Sequence, residues 1–209
     1  MTVLNEITEH KMVGILRGYD TNDAVKIVDT LMKSDFNVIE VALNSPNAKN
    51  TLKTLKKEFG KDLILGAGTV LTVEEAEYCV KIGVEFILSP VFSKEVLKFA
   101  IEEDILYIPG CYTPTEIYNA KLLGAKMIKV FPASQLQASY IKDVLAPMND
   151  LVLLPTGGIK PGNINEFLDV GAKAVGINSA LVPSKRKVDE TMLNDVHERA
   201  NAFKETLKI

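Results

Sequence analysis

The 209-residue sequence contains few of the residues that build metal centres and disulfide frameworks. Its two cysteines, Cys79 and Cys111, have no close-set metal-binding or redox spacing. We expect both to pack as small buried hydrophobic side chains; for Cys111, which follows Pro109-Gly110 at a strand end, a reactive thiol is the alternative. The two histidines, His10 and His197, fall in terminal segments with helical patterns and form no HExxH-type pair. The sequence therefore predicts no metal site.

Long apolar runs and clusters of one charge are also missing. No apolar stretch approaches the length of about 20 residues that a membrane span needs. The segment from Met1 to Met12 carries Glu6, Glu9 and Lys11, which is typical of neither a signal peptide nor an anchor. The 24 basic and 27 acidic residues give a net charge of -3, and the basic ones are mostly dispersed. Nucleic acid and membrane are poor candidates for partners, and we predict a cytoplasmic protein.

Short apolar runs, many of them β-branched, alternate with longer helical patterns along the chain. These runs predict eight strands, at Val13-Arg17, Val38-Leu43, Leu63-Gly68, Phe86-Ser89, Leu106-Pro109, Met127-Phe131, Leu151-Thr156 and Ala174-Asn178. Turn residues precede most of them, at Asp35, Gly60, Gly83, Asp104, Gly124, near Asn149 and at Gly171. One strand and one helix thus recur at intervals of about 20 to 25 residues, which implies parallel strands with right-handed crossovers.

Hydrophobic residues run continuously through these strands, which is typical of a sheet that is covered on both faces. We therefore predict an α/β protein with a (β/α)8 TIM barrel, formed by a single domain over residues 1–209. An open doubly wound sheet is the alternative. It would normally carry a glycine-rich nucleotide loop after the first strand, and Leu16-Arg17-Gly18-Tyr19 is not such a loop. In a barrel the chemistry lies at the carboxyl ends of the strands.

Two charged residues interrupt predicted buried strands. Lys129 lies within Met127-Ile128-Lys129-Val130-Phe131-Pro132, and Glu40 lies within Val38-Ile39-Glu40-Val41-Ala42-Leu43. Burial disfavours an ammonium ion, so Lys129 is expected to become a neutral, nucleophilic amine. Strands two and six face each other across an eight-stranded barrel, so Glu40 and Lys129 can meet. The alternatives are a lysine that extends its head to water and a structural buried ion pair.

Other strand ends carry polar or small residues. The first strand ends at Arg17, whose guanidinium suits a carboxylate. The third ends in Gly66-Ala67-Gly68-Thr69, where the glycines either let backbone amides approach a ligand or form a tight turn. After the fifth strand, Thr113, Thr115 and Glu116 are typical of a helix cap rather than of a site.

The last two strand ends predict an anion site. Thr156-Gly157-Gly158 ends the seventh strand, and Asn178-Ser179 ends the eighth. Loops at these positions of TIM barrels frequently bind phosphate through backbone amides. An amine nucleophile, a carboxylate, an arginine and a phosphate cradle together fit Schiff-base chemistry on a phosphorylated keto acid.

These motifs form an ordered set that covers nearly the whole chain. Its members are Ile15-Leu16-Arg17, Ile39-Glu40-Val41, Gly66-Ala67-Gly68-Thr69-Val70, Ser89-Pro90, Pro109-Gly110, Lys129 before Phe131-Pro132, Pro155-Thr156-Gly157-Gly158-Ile159 and Ser179-Ala180-Leu181-Val182-Pro183. In this set the chain resembles the 2-keto-3-deoxy-6-phosphogluconate (KDPG) and 4-hydroxy-2-oxoglutarate (KHG) aldolases, a family of class I aldolases on (β/α)8 barrels.

The resemblance implies a role for each residue of the site. Lys129 would form an imine with pyruvate, and Glu40 would act as general acid and base through a water. Thr69 would help to hold the pyruvate carboxylate, and the region of Gly157-Gly158 and Ser179 would hold the phosphate. Members of the family are usually homotrimers and need no metal, so we expect no cofactor and a trimeric enzyme of sugar-acid breakdown, as in the Entner-Doudoroff pathway.

The identity of the sugar acid rests on two residues that disagree. Asn44, in Leu43-Asn44-Ser45-Pro46, is similar to the branch that cleaves 2-keto-3-deoxy-6-phosphogalactonate (KDPGal), and it stands where some members carry the carboxylate-binding arginine that others, like this chain with Arg17, place on the first strand. Thr156 is similar to the phosphogluconate branch, and its hydroxyl can hydrogen-bond a substrate hydroxyl near C4.

We therefore predict cleavage of KDPG to pyruvate and glyceraldehyde 3-phosphate, with KHG cleavage to pyruvate and glyoxylate as an additional activity. A KDPGal aldolase is the first alternative. A sugar-phosphate isomerase or epimerase, in which Lys129 is purely electrostatic, and a non-catalytic metabolite-binding barrel are the others.

Overall fold

A computed structural model of the protein describes residues 1–184 and 186–208, in which nine strands are joined by helices, except that a single residue separates the fifth strand from the sixth. The strands are β1 (Met12–Leu16), β2 (Val38–Ala42), β3 (Ile64–Gly68), β4 (Phe86–Leu88), β5 (Leu106–Ile108), β6 (Gly110–Cys111), β7 (Ile128–Val130), β8 (Leu153–Pro155) and β9 (Val175–Ile177). The helices are α1 (Val3–His10), α2 (Thr21–Lys33), α3 (Ala48–Phe59), α4 (Val73–Ile82), α5 (Lys94–Glu102), α6 (Pro114–Leu122), α7 (Gln137–Leu145), α8 (Ile164–Asp169) and α9 (Glu190–Leu207), with a short 3₁₀ helix at Ala133–Gln135.

All strand pairs are parallel, which confirms an α/β fold. The predicted closed eight-stranded barrel is confirmed only in part, because the strands form one sheet in the order β5-β4-β3-β2-β1-β9 and a second in the order β6-β7-β8. The first break falls at Pro109, the last residue of the predicted fifth strand. Pro109 has no N–H to donate, so the hydrogen-bonded ladder stops between β5 and β6. Its carbonyl still accepts a bond of 2.9 Å from the backbone N of Lys129.

The second break lies between β8 and β9. Only one bridge, between Thr156 and Gly176, and one backbone bond of 3.0 Å, from Lys173 N to Leu153 O, join these strands within the described residues. The two sheets are therefore connected at both edges without a continuous ladder.

The predicted turn residues end their helices as expected. Six of them have a positive φ, namely Asp35, Gly60, Gly83, Asp104, Gly124 and Gly171. A left-handed residue stops a helix and turns the chain, and glycine or a short polar residue adopts that conformation most readily.

Buried apolar residues form two layers. One lies between the sheets and the surrounding helices and includes Ile39 and Ile128. The other lies inside the sheets and contains Val38, Met127 and Leu154, together with Ile7 of α1. The helix α1 thus packs on the interior at the amino end of the strands, and the carboxyl end is left for a site.

Strand geometry extends this interior layer toward the carboxyl end. Side chains alternate between the two faces of a strand, so a residue two positions further on points the same way. Glu40, Lys129 and Thr156 lie in β2, in β7 and directly after β8, and each comes two positions after an interior residue, namely Val38, Met127 and Leu154. Three residues predicted for the site therefore face one interior.

The two cysteines are both buried, as predicted. Burial raises the pKa of the Cys79 thiol and of the Cys111 thiol to about 12, so neither forms a thiolate readily near neutral pH. For Cys111 this favours core packing over a reactive thiol. Among the described helices, none has the length and apolarity needed to cross a bilayer.

Candidate active site

Lys129 and Glu40 are almost wholly buried. Lys129, in the middle of β7, has 4% of its surface exposed, and Glu40, in the middle of β2, has 1%. The alternative of a lysine that extends its head to water is therefore wrong. The Lys129 Nζ instead lies 5.1 Å from the centre of the Phe131 ring, a distance at which a cation and an aromatic face attract each other.

Burial shifts the pKa values of both groups toward their neutral forms. It lowers the pKa of Lys129 below its usual value; the negative charge of Glu40 opposes this shift, and the positive charge of Arg17 adds to it. Burial also raises the pKa of Glu40, against the charges of Lys129 and Arg17. Perturbed pairs of this kind are found more often at functional sites than elsewhere.

The two groups make no direct ion pair within the described residues. In this same part of the chain, Glu40 Oε2 is buried and has no hydrogen-bond partner. A structural ion pair would bring the nitrogen and oxygen atoms into contact and satisfy both, so the structural ion-pair alternative is not supported.

The glycines of β3 make room for neighbouring side chains. A Cβ on Gly66 would lie 2.3 Å from the Phe86 ring, and a Cβ on Gly68 would lie 2.6 Å from Glu40 Oε2. Ligand-binding amides and a tight turn were the two functions predicted for these glycines, and space for neighbouring side chains was not predicted. The sequence did contain a signal for this function. Gly66 and Gly68 are alternate residues of β3, so they lie on one face of the strand next to β2, which carries Glu40.

Thr69 follows β3 in a strained backbone conformation. It is half-buried, and its φ is +60°, a region that β-branched residues rarely enter. Strain of this kind costs on the order of 1–3 kcal/mol and is concentrated at functional sites. The next residue is anchored, because Val70 N donates to Leu88 O at 3.0 Å.

Arg17 directly follows β1 and is exposed, close enough for its charge to act on both Lys129 and Glu40. The turn that follows it is held by Ser45, whose Oγ accepts a bond of 2.9 Å from Gly18 N. Ser45 is buried at the start of the β2–α3 loop, next to the exposed Asn44. This hydrogen bond was not predicted from the sequence, because it joins residues that are 27 positions apart.

The predicted anion-binding residues lie on loops that leave two neighbouring strands. Gly157 and Gly158 have φ values of +104° and +75°. Asn163 fixes this turn, since its Nδ2 donates to Gly158 O at 3.0 Å and its Oδ1 accepts from Lys160 N at 2.9 Å. Ser179 is exposed after β9. Successive left-handed glycines present backbone N–H groups in a concave arrangement that suits an anion.

Thr156 lies in the interior beside these loops and is 2% exposed. Its hydroxyl donates a long bond of 3.5 Å to Leu154 O, so it retains capacity for a better partner. A Cβ on Gly176 would lie 2.3 Å from Thr156 Oγ1, which shows that the threonine side chain covers this glycine.

The capping interpretation of the α6 start is confirmed. Thr113 and Glu116 form a reciprocal capping box, and hydrogen bonds from the backbone of Thr113 and Tyr112 lower the pKa of Glu116. Residues 1–184 and 186–208 contain no group of three His, Cys, Asp or Glu side chains placed to hold a metal ion.

Comparison with known proteins gives a consistent family. A family model described as KDPG and KHG aldolase matches residues 3–197. The 2-dehydro-3-deoxy-6-phosphogalactonate aldolase of Escherichia coli is 30% identical over 185 residues, which cover 88% of this chain and 90% of the relative. The KHG/KDPG aldolase of Escherichia coli is 31% identical over 162 residues, which cover 77% of this chain and 76% of the relative.

Solved structures agree with this result. One described as the native KDPGal structure has a TM-score of 0.88 and 28% identity, and the match covers 94% of each chain. The KDPG aldolase of Legionella pneumophila, with pyruvate captured at low pH as a covalent carbinolamine intermediate, has a TM-score of 0.84 and 25% identity, with 100% of this chain and 98% of that chain covered. This chain therefore belongs to the KDPG and KHG aldolase family of carbon–carbon lyases.

Proposed function

We propose that the protein is a metal-independent class I aldolase in which Lys129 forms the imine and Glu40 moves protons. One observation carries the proposal. A single buried layer holds an amine whose pKa is lowered and a carboxylate whose pKa is raised, without a direct ion pair between them. An enzyme that forms an imine needs a neutral amine as nucleophile and a nearby group that both donates and accepts protons.

The reaction then begins at the C2 ketone of the keto acid. Lys129 Nζ attacks this carbon to give a carbinolamine, and Glu40 donates the proton with which the hydroxyl leaves as water. The resulting iminium accepts the electrons of the C3–C4 bond as that bond breaks, while Glu40, through a water, takes the proton of the C4 hydroxyl. The aldehyde departs, the enamine is protonated at C3, and hydrolysis releases pyruvate and the free amine.

The remaining residues bind the two anionic ends of the substrate. Arg17 suits the keto-acid carboxylate, since a guanidinium binds it through two parallel hydrogen bonds. Thr69 assists at the same carboxylate, and its strained backbone supports a functional role. Gly157-Gly158 and Ser179 take the phosphate through backbone N–H groups and a hydroxyl.

The preferred substrate in this proposal is KDPG, with KHG as a smaller second substrate. Support comes from the Thr156 hydroxyl, which lies in the interior with spare hydrogen-bonding capacity. The relative whose name specifies phosphogalactonate keeps KDPGal as the alternative substrate. Release of pyruvate from KDPG, KDPGal and KHG, followed by its reduction with lactate dehydrogenase, tests the activity and ranks the three compounds. An isomerase, an epimerase or a metabolite-binding barrel would release none.

We further propose that the two sheets act as one (β/α)8 barrel, in a single domain over residues 1–209, and that three copies assemble. The contacts of Pro109 with Lys129 and of Thr156 with Gly176 support closure. Support for assembly comes from exposed apolar side chains on α6 and directly beside it, at Tyr112, Tyr118, Leu122 and Leu123. Light scattering tests the trimer, since one chain has a mass of 22.9 kDa.

The cytoplasm is the expected compartment, and two free buried cysteines are consistent with it.

A further inference from the structure

Gly68 lies against the carboxylate of Glu40 on the neighbouring strand. In the register of β2 and β3, Glu40 is paired with Gly66, and Gly68 is paired with Ala42. A Cβ on Gly68 would lie 2.6 Å from Oε2, 2.7 Å from Cδ and 2.8 Å from Oε1 of Glu40. Real Cβ atoms essentially never approach heavy atoms this closely. The carboxylate therefore occupies the space that any other residue at this position would fill.

The backbone does not explain the glycine. Gly68 is absent from the residues with positive φ, so its conformation is open to any amino acid. Its carbonyl accepts an ordinary sheet bond of 2.8 Å from Leu43 N. The requirement for glycine at this position is a requirement for space.

The surroundings prevent the carboxylate from moving aside easily. Glu40 is buried, and the Phe86 ring already fills the space that a side chain at Gly66, the residue paired with Glu40, would occupy. The charges of Lys129 and Arg17 also act on the Glu40 carboxylate. A methyl group at position 68 would thus push the carboxylate away from β3 and change its place relative to Lys129.

We propose that Gly68 is a positioning residue, which fixes the Glu40 carboxylate by leaving room for it on β3. The inference rests on the proposed function of Glu40 as the acid and base. A displacement of about 1 Å in a catalytic group is enough to cost roughly 10²-fold in rate. Gly68→Ala should therefore lower kcat by about that factor and change KM much less.

A double substitution separates positioning from general damage. Glu40→Asp shortens the side chain by one methylene and withdraws the carboxylate from Gly68. In the Glu40→Asp background, Gly68→Ala should lower kcat by a factor of only about three or less, since groups in contact give non-additive effects. An equal loss in both backgrounds, or an unchanged kcat in Gly68→Ala alone, would overturn the proposal. If Gly68→Ala does not fold, the double variant should fold, and its failure would also overturn it.

Gly14→Ala is the matched control. It makes the same chemical change on β1, where the new Cβ would meet the side chains of Leu181 and Phe36 at 3.0 Å and not Glu40. This variant should keep the wild-type kcat, whatever it does to the unfolding temperature. A loss of kcat as large as that of Gly68→Ala would contradict positioning.

A ¹³C NMR titration of the labelled Glu40 carboxyl gives a readout that needs no turnover. Its midpoint should move in Gly68→Ala and stay in place in Gly14→Ala, because only the first displaces the carboxylate relative to Lys129 and Arg17. An unmoved midpoint in Gly68→Ala overturns the inference. A wild-type protein that releases no pyruvate refutes the proposed function instead, and the titration still decides the position of Glu40.

Discussion

Lys129 and Glu40 face the same interior from β7 and β2, and each opposes the pKa shift that burial imposes on the other. The charge of Glu40 raises the pKa of Lys129, and the charge of Lys129 lowers the pKa of Glu40, yet burial is the larger influence on both. Burial thus favours the neutral form of each group, and a neutral amine is the form that imine chemistry requires.

The lowered pKa of Lys129 predicts how adduct formation depends on pH. Only the neutral amine attacks a ketone, so the initial rate of reductive trapping of pyruvate should rise with pH. Its midpoint should lie below 10.5, the ordinary value for lysine, since Arg17 adds to the effect of burial and Glu40 opposes it. Initial trapping rates measured from pH 5 to 11 give this midpoint. A midpoint at or above 10.5 would mean that the amine is not activated.

Glu40→Gln should keep the fold and lose cleavage activity by roughly 10²-fold or more, because an amide neither donates nor accepts the proton. Steady-state kcat with KDPG is the measurement. Glu85→Gln is the control, since Glu85 lies before β4 and pairs with Lys56 rather than with the interior. Near-normal turnover in Glu40→Gln would leave Glu40 with a structural role.

The same variant should change the pH dependence of stability. The raised pKa of Glu40 means that the carboxyl group holds its proton more tightly in the folded state than in the unfolded state. In the unfolded state its pKa is near the ordinary value of 4.5. The contribution of Glu40 to stability is thus present below pH 4.5 and is lost as the pH rises through the folded-state pKa. Urea unfolding from pH 4 to 8 should show this loss in the wild type and not in Glu40→Gln. Parallel curves would show that the pKa is not raised.

Arg17→Ala should weaken the use of pyruvate more than the use of the aldehyde phosphate in the synthetic direction. The guanidinium is exposed at the end of β1 and suits a carboxylate. The KM for each substrate, measured in the variant and in the control Lys26→Ala on the α2 surface, tests this. A larger effect on the aldehyde phosphate would assign Arg17 to the phosphate site.

Thr156→Val should reduce the preference for KDPG over KDPGal. Valine has the shape of threonine without the hydroxyl, and an unsatisfied hydrogen-bonding group costs roughly 1–3 kcal/mol. The ratio of kcat/KM for the two C4 epimers is the measurement, with Thr30→Val on α2 as the control. A wild-type preference for KDPGal, or a ratio that the substitution leaves unchanged, would assign the choice of epimer to other residues.

Much of this arrangement was predictable because it depends on local pattern. A charged residue in an apolar strand, a helix-stopping turn such as Asp35 and a capping box such as Thr113 and Glu116 are all encoded within a few positions. The residue-by-residue roles in the site stay predictions.

The features that the sequence analysis missed all depend on contacts between distant segments. Gly68 makes room for a side chain of another strand, and Ser45 holds the turn after Arg17. The break at Pro109 is a different case. A proline at the end of a predicted strand signals a lost donor, but only the pairing of β5 with β4 and of β6 with β7 shows that the strand continues past it and that the sheet divides there.

The most direct test of the central claim is mass spectrometry of the protein after incubation with pyruvate and borohydride. Reduction of the imine should add one pyruvyl-derived group per chain, and peptide mapping should place it on Lys129. Lys129→Met should show no adduct, while the control Lys173→Met, at an exposed residue before β9, should be modified like the wild type. An adduct on another lysine, or no adduct in the wild type, would contradict the account.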